Sequence, residues 1–472
     1  MSKYDRMRVR FLKKVWKYIK RTLSRQLIFS VLMGAIVLAI SLGIYYEAGL
    51  YWGPRQRPVG DEPHYLIIAQ SIYKDHDLDL TNNYANKDYQ AWNYAGETLD
   101  PHVALRSQNG KQYSFHNIGW PLILSPFLGC WGLDGARTLT VIIGALLALN
   151  IFLFIKKITG KAGVAWLIFL TTAFSIPFIV YSSQLFSEIL AALLICYAVR
   201  VLWERLPNFL SQFLSITAIA YLPWIHVKYI WVSLFLFLLW IYLNRKNKTV
   251  LLGIIYLASG ALLSYLFKQW YGTYLPNGQY PVGADLIKYN QTGLGAIGLF
   301  LDAHFGLLTY APLYIFSLAG LVAAFIKERF LGFILLGTFL AVFIQHASSA
   351  YLLGWSPEGR FLVAVLPMLV VTLGVLYPLM KTWNKVIFYM AATWGLVAGY
   401  FLIRHPDLNY STGEPKYLEA ISSKLIDFTH FFPKIITLDQ PPVINNWGVI
   451  YYWLAAIFLI TLATLIFRSK EK

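Results

Sequence analysis

Long apolar stretches recur along the chain, and they limit what it can fold into more than any other feature. About twelve of them approach the roughly 20 residues that a helix needs to cross a bilayer. They lie at 27–47, 134–156, 163–181, 184–203, 209–225, 229–243, 249–270, 306–326, 330–347, 360–380, 385–403 and 447–467. Of all residues, 57% are hydrophobic and 13% are charged, a composition too apolar for an ordinary soluble domain. The sequence therefore predicts an all-α polytopic membrane protein with about 12 transmembrane helices, within a range of 11 to 13.

The basic residues predict how these helices are oriented. The segment 1–26 is rich in Lys and Arg and precedes the first apolar stretch, so we expect it to be a cytoplasmic, juxtamembrane segment followed by an uncleaved helix. If the spans alternate, later basic residues fall on the same side: Lys156, Lys157, Lys161, Arg200, Arg205, Arg245, Lys246, Lys327, Arg329, Lys381, Lys385, Arg468 and Lys470. Both termini are then cytoplasmic. The excess of basic residues on the cytoplasmic side thus explains the net charge of +17, and a nucleic-acid partner is not predicted.

This topology leaves two long loops on the extracytoplasmic side, 48–118 and 404–446. The apolar segment 119–131 is short and contains Pro121 and Pro126, so we interpret it as interfacial or re-entrant, although a full crossing would reverse every later span. With this segment included, 27–472 is expected to form one transmembrane domain.

The first loop contains the hexapeptide GDEPHY at 60–65. Pro63 suits the first turn of a helix, and Glu62 is its expected N-cap; the apolar stripe that follows predicts a helix lying on the membrane surface. Free N–H groups at a helix N-terminus favour ionised carboxylates, so Asp61 and Glu62 are well placed to accept a proton or a cation. The alternative is that Glu62 only caps the helix.

Further polar and aromatic residues lie at the outer ends of the predicted spans. They are His116, Glu188, His226, Lys228, Asp302, His304, Trp355, Glu358 and Arg360. Arg360 carries a forked, permanent cation that matches a phosphate, while Lys228 can bind phosphate or extend to lipid headgroups. Glu188 faces either a cavity or a salt bridge to Lys228 or Arg360, and Asp302 either caps a helix or joins a site. The common location predicts one outward-facing site.

Four motifs follow one another along the chain: GDEPHYLIIAQSIYKDHDLDL, HNIGWPLILSPF, QLFSEILAALL and WSPEGRF. This arrangement resembles the GT-C superfamily of membrane glycosyltransferases, in particular bacterial members related to protein O-mannosyltransferases and to aminoarabinose or arabinofuranosyl transferases. The resemblance implies an enzyme of the bacterial inner or plasma membrane that uses a polyprenyl-phosphate-linked sugar as donor. It also implies a glycan, lipid or protein hydroxyl as acceptor on the extracytoplasmic face, and inversion at the anomeric carbon in a single displacement.

The resemblance also implies roles for particular residues. Asp61 matches the acid of the first loop and would be the base. The reaction also needs a cation for the developing charge on the donor phosphate, and Arg360 or Lys228 would supply it. Glu62 would orient the acceptor or, with Asp61, hold a divalent cation such as Mg or Mn; some members of the superfamily use a metal and others do not, so no cofactor is certain. The remaining expected substrate-binding residues are His64, Tyr65, His116, Glu188, His226, Asp302, His304, Trp355 and Glu358.

A transporter or flippase of lipid-linked saccharides is the alternative function, since it also needs cations for phosphate and aromatic rings for sugar. Such a protein is expected to have charged residues near the bilayer midplane and on both faces, and often two halves with related sequences. Here the predicted polar residues lie on one face and no internal repeat is evident. The enzyme is therefore the favoured interpretation.

Overall fold

The computed structural model of the protein describes residues 25–55, 57–92, 98–276, 278–280, 288–349, 356–408, 416–435 and 446–466. Within these ranges the regular structure is helical, and an isolated antiparallel bridge joins Val103 and Ser114. The all-α prediction is confirmed. Residues 1–24 of the predicted basic segment and Trp355 lie outside the described residues.

Helices of nine residues or more form the frame of the molecule. They are α1 (Arg25–Arg55), α2 (Glu62–Gln70), α3 (Gly119–Thr159), α4 (Ala162–Thr172), α5 (Glu188–Glu204), α6 (Phe209–Ile225), α7 (Ile230–Asn244), α8 (Gly253–Tyr271), α9 (Thr292–Leu301), α10 (Ser317–Lys327), α11 (Arg329–Ala347), α12 (Leu366–Leu376), α13 (Thr382–Arg404) and α14 (Trp447–Ile466). Shorter helices lie at Thr81–Ala85, Phe178–Tyr181, Leu307–Tyr310 and Lys416–Ile421.

Several of these helices are able to cross a membrane. Among the described residues, 7 are long and apolar enough, and they include α1, α3, α11, α13 and α14. Apolar helices of 10–17 residues add Ala162–Thr172, Phe209–Ile225, Pro312–Lys327 and Leu366–Leu379. The protein is thus a multi-pass membrane protein, as predicted, while the number of twelve spans stays a prediction.

Two predicted spans are interrupted, and proline explains where. The predicted span 163–181 divides into α4 and the short helix Phe178–Tyr181, which directly follows Pro177. The predicted span 306–326 divides into Leu307–Tyr310, a 3₁₀ turn that begins at Pro312, and α10. Proline lacks an N–H group and cannot continue the hydrogen bonding of a preceding helix.

Helix α3 is the central element of the fold. It combines the segment 119–131 with the following predicted span into one helix of 41 residues, with a break at Gly132, whose φ of 64° is in the left-handed region that glycine adopts without strain. Helix α3 packs against α1, α2, α4, α5 and α12. The N-terminal end of α3 directly follows the first loop, so this loop is joined to the helix that contacts α1, α2, α4, α5 and α12.

The helix predicted after Asp61 is present as α2, and its place at the membrane surface stays a prediction. Every residue from Glu62 to Gln70 is buried within the protein, because α2 is apolar on several sides and packs against α3. The structure corrects the predicted cap. The N-cap position is held by Asp61 rather than Glu62, and the Asp61 side chain makes no capping hydrogen bond. The carboxylate of Asp61 is therefore available for contacts outside its own helix.

Candidate active site

Four charged residues from separate parts of the chain meet at one place, and we name them the ionic cluster: Asp61, Glu188, Lys228 and Arg360. Arg360 donates from Nη2 to Asp61 Oδ2 and from Nε to Glu188 Oε1 at 2.9 Å. The Lys228 ammonium donates to that same oxygen of Glu188 at 2.7 Å. The prediction of a single site is thus realised for these four residues.

The local backbone fixes the position of Arg360. Arg360 begins a short 3₁₀ helix and follows Gly359, which has a φ of 71°. A side chain at Gly359 would also come within 3.3 Å of the Pro177 ring. Tyr181 donates a hydrogen bond of 2.6 Å to the Pro357 carbonyl, and the Arg360 guanidinium lies 4.5 Å from the centre of the Phe186 ring.

The sequence left open whether Glu188 pairs with Lys228 or with Arg360, and the structure shows that it pairs with both. It is the first residue of α5, and its side chain is 1% exposed. A carboxylate buried to this degree needs compensating charge, which the two cations supply. Glu188 therefore holds Lys228 and Arg360 side by side.

Asp61 is the most exposed member of the ionic cluster, with a side chain that is 22% exposed. Burial alone would raise its pKa, but the adjacent Arg360 guanidinium outweighs that effect and holds the pKa well below the usual range for aspartate. The carboxylate is consequently ionised at neutral pH and is able to accept a proton from a substrate.

Three histidines lie beside Asp61. The Nε2 atom of His116 is 4.0 Å from Asp61 Oδ1 and 2.8 Å from Nδ1 of His102, and the ring of His64 stacks on that of His102 at 3.5 Å between centroids. Burial lowers the pKa of His116 to about 4 and also lowers the pKa values of His64 and His102. All three rings are neutral at pH 7.

His102 was not identified from the sequence. An antiparallel bridge between Val103 and Ser114 brings His102 to the site. Next to this bridge, the Phe115 N–H donates a hydrogen bond of 3.1 Å to the His102 carbonyl. That pairing places His102 beside His116, 14 residues away along the chain. No periodicity or motif in the loop indicates it.

Asp61, His102 and His116 together offer a set of metal-ligand atoms. One atom from each residue lies within 4.8 Å of the other two. Two imidazoles and one carboxylate suit a transition ion such as Mn²⁺ or Zn²⁺ better than Mg²⁺, which prefers oxygen ligands. The residues present therefore fit a divalent cation.

Glu62 is not part of this set. Its Oε1 accepts a hydrogen bond of 2.9 Å from the Leu185 N–H, and its Oε2 accepts one of 3.2 Å from the Val59 N–H. Burial raises its pKa despite these bonds. Glu62 thus ties the first loop to the segment that precedes α5.

Tyr65 and His226 border the ionic cluster. The buried ring of Tyr65 is 5.0 Å from that of His116. Nδ1 of His226 accepts a hydrogen bond of 3.1 Å from the Lys228 N–H, which caps the short 3₁₀ helix carrying Lys228. His226 therefore contributes to the position of the Lys228 backbone.

Asp302 makes structural hydrogen bonds to backbone N–H groups, and its role in a substrate site stays a prediction. One carboxylate oxygen accepts hydrogen bonds from the N–H groups of His304 at 2.9 Å and Phe305 at 2.8 Å. The other accepts a 2.8 Å bond from the Ile435 N–H, in the second of the two long loops. The ring of His304 lies 4.2 Å from that of Phe305.

Glu358 lies two residues before Arg360 and is 1% exposed. Neither of its carboxylate oxygens has a side-chain or main-chain donor in the part of the chain that the structure describes. Burial raises the pKa of Glu358 well above its ordinary value.

One known protein family matches part of the chain. Residues 127–290, which include Glu188 and Lys228, match the Alg9-like mannosyltransferase family. No curated protein sequence matches the chain.

Similar solved structures include two of ArnT from Cupriavidus metallidurans. The structure bound to undecaprenyl phosphate is 13% identical with a TM-score of 0.46, and the match covers 93% of this chain and 70% of that chain. The apo structure is 14% identical with a TM-score of 0.47, over 94% and 72% of the two chains.

A third is the archaeal oligosaccharyltransferase AglB from Archaeoglobus fulgidus, in complex with an inhibitory peptide and a dolichol-phosphate. It is 12% identical with a TM-score of 0.45, over 90% of this chain and 63% of that chain.

The class of protein follows from the apolar helices and the family match: this is a membrane glycosyltransferase. The family match over residues 127–290 supports the resemblance of the sequence motifs to the GT-C superfamily. The prediction of an enzyme is confirmed at this level, and the prediction of the superfamily is supported.

Proposed function

We propose that the protein transfers a sugar from a polyprenyl-phosphate donor to a hydroxyl group of a glycan, lipid or protein acceptor. The observation that carries this proposal is the contact between Asp61 and Arg360 inside a cluster that also holds Lys228. Such a transfer needs a base for the acceptor and cations for the phosphate, and the ionic cluster supplies both.

Asp61 is the base in this proposal. The acceptor hydroxyl gives its proton to a carboxylate oxygen of Asp61 while the acceptor oxygen forms a bond to the anomeric carbon of the sugar. The bond from that carbon to the phosphate oxygen breaks in the same displacement, so the configuration inverts. Base catalysis by a positioned carboxylate typically contributes about 10²–10⁴-fold to a rate.

Arg360 and Lys228 bind the phosphate in this proposal. As the bond to the sugar breaks, the polyprenyl phosphate gains one negative charge, and nearby cations in a partly dehydrated site stabilise it strongly. The side chain of Arg360 is 9% exposed and that of Lys228 is 11% exposed. His64, Tyr65 and His116 surround Asp61 and are proposed to contact the sugar or the acceptor.

The extracytoplasmic location of the site is also a proposal, and the direction of two helices supports it. Helix α3 begins beside His116 and ends with Lys156 and Lys157 in its last turn. Helix α5 begins with Glu188 and contains Arg200 near its other end. Because basic residues favour the cytoplasmic side, the opposite ends of these helices, and the site with them, lie outside.

A divalent cation at Asp61, His102 and His116 is a further part of the proposal. Such an ion would supply a positive charge that polarises bound oxygen atoms. The donor atoms favour Mn²⁺ over Mg²⁺. Glu62, which the sequence paired with Asp61 for this purpose, holds two backbone N–H groups instead.

A transfer assay tests the function. Purified protein is incubated with polyprenyl-phosphate sugars and candidate acceptors, and the product is detected by mass spectrometry. We expect Asp61→Asn to lower transfer by about 10²-fold or more. The control Asp79→Asn changes a half-buried aspartate of the same loop, which accepts hydrogen bonds from Thr81 and Gln112, and is expected to leave transfer unchanged. Equal transfer by wild type and Asp61→Asn would exclude Asp61 as the base. Movement of the lipid-linked sugar across vesicles without transfer would favour the transporter.

A further inference from the structure

The ionic cluster has no surplus positive charge. Asp61 and Glu188 carry one negative charge each, and Lys228 and Arg360 carry one positive charge each, so the four charges cancel. In the absence of a bound divalent cation, a phosphate that enters this cluster therefore competes with the carboxylates for Lys228 and Arg360.

The geometry indicates which carboxylate is replaced. Glu188 is 1% exposed and accepts hydrogen bonds from both cations through one oxygen. Asp61 is 22% exposed and contacts Arg360 alone among the cations of the cluster. Exchange at Asp61 leaves one shared carboxylate between the two cations, whereas exchange at Glu188 would expel a fully buried anion. The free-energy cost of replacing the carboxylate by a phosphate is therefore lower at Asp61 than at Glu188.

We infer that the donor phosphate and the Asp61 carboxylate compete for the Arg360 guanidinium, so that binding of the donor releases Asp61 to the acceptor. This inference rests on the proposed function and deepens it. Without donor, the Asp61 oxygen that faces Arg360 is occupied by a hydrogen bond. Once phosphate takes its place, that oxygen is free to receive the hydrogen bond of the acceptor hydroxyl.

The exchange gives the site an order of events. Acceptor hydroxyl groups, including water, meet a carboxylate that is already paired until the donor phosphate has bound. The base and the leaving-group site are thus linked through one side chain. Arg360 is suited to this because its two ends are separately engaged, Nε by Glu188 and Nη2 by Asp61, so the contact with Glu188 keeps the guanidinium in place during the exchange.

Equilibrium binding of undecaprenyl phosphate to the purified, full-length protein tests the inference. Asp61→Asn keeps the shape of the side chain and removes its charge. We expect this variant to bind undecaprenyl phosphate about tenfold more tightly than wild type, a change equal to about 1.4 kcal/mol. Asp79→Asn is the matched control, because Asp79 lies in the same loop and hydrogen bonds to Thr81 and Gln112; its affinity is expected to equal that of wild type.

A double variant shows whether the gain passes through Arg360. In the Arg360→Ala background, adding Asp61→Asn is expected to change the affinity less than twofold. Equal or weaker binding by Asp61→Asn, or a gain that persists without Arg360, would overturn the inference. Because binding is measured without acceptor, tighter binding by Asp61→Asn together with an absence of transfer by wild type would reject the proposed function and keep the competition.

Discussion

Replacing Glu188 by Gln is expected to destabilise the protein, because it leaves two buried cations with less compensating charge. Glu188 Oε1 accepts charge-assisted hydrogen bonds of 2.7 Å from Lys228 and 2.9 Å from Arg360. Removing one partner from a buried ion pair typically costs about 3–5 kcal/mol. The two cations are about a tenth exposed and Gln can still accept one hydrogen bond, so we expect a loss near the lower limit, about 3 kcal/mol.

The free energy of unfolding in detergent, followed by tryptophan fluorescence during denaturant titration, measures this loss. Glu204→Gln is the control: it removes a carboxylate from the other end of α5, where Glu204 pairs with Arg200 at 3.2 Å within the same helix. Exposed pairs at this spacing contribute about 0.3–0.5 kcal/mol. Because the Arg200 and Glu204 side chains are 17% and 13% exposed, we expect a loss of about 1 kcal/mol for Glu204→Gln. A difference below about 1 kcal/mol between the two variants would refute the role of Glu188 as the shared partner of both cations.

A second variant tests whether the loss comes from uncompensated charge. Adding Lys228→Met to Glu188→Gln removes one of the two cations, so the double variant is expected to be less destabilised than the sum of the single variants. Interaction energies between residues in direct contact are commonly about 0.5–3 kcal/mol. Strict additivity of the two losses would show that the pair is not energetically coupled.

Three further predictions concern metal binding, pH and backbone strain. His102→Ala should lower the Mn²⁺ or Zn²⁺ content of the purified protein after metal loading, measured by mass spectrometry. His430→Ala, at an exposed position, should leave the metal content unchanged. Equal metal content in wild type and both variants would exclude this ligand set. Burial depresses the pKa of His64, so below the ordinary pKa of about 6.5 the unfolded chain binds a proton that the folded protein does not, and stability should fall as the pH is lowered through that value. Unfolding curves of His64→Gln should show a smaller loss between pH 7 and 5, and an unchanged slope would contradict the prediction. Gly359→Ala should cost about 1–2 kcal/mol of stability, because alanine is strained at a φ of 71°. It should also weaken binding of undecaprenyl phosphate, because the added methyl group contacts Pro177 next to Arg360. Gly163→Ala is the control, since open space surrounds that position.

The sequence by itself determined the membrane character, the helical class and the enzyme class. Hydropathy and charge are properties of local segments, so the apolar stretches and the motif around Asp61 are visible without a fold. Helices α6, α7, α11 and α13 begin and end within a few residues of the predicted spans. Where proline interrupts an apolar stretch, as at Pro177 and Pro312, hydropathy alone overestimated the length of the helix.

Only the tertiary structure decided which polar residues work together. Asp61 and Glu62 are neighbours in the sequence, yet successive residues at the start of a helix point about 100° apart: Asp61 meets Arg360, which is 299 positions away, and Glu62 binds backbone N–H groups. The folding of the first loop brings His102 to His116, and packing against α3 buries α2. Residue type and hydropathy are properties of the local sequence, whereas contacts between distant segments depend on how the helices pack. The ionic cluster consists of contacts of the second kind.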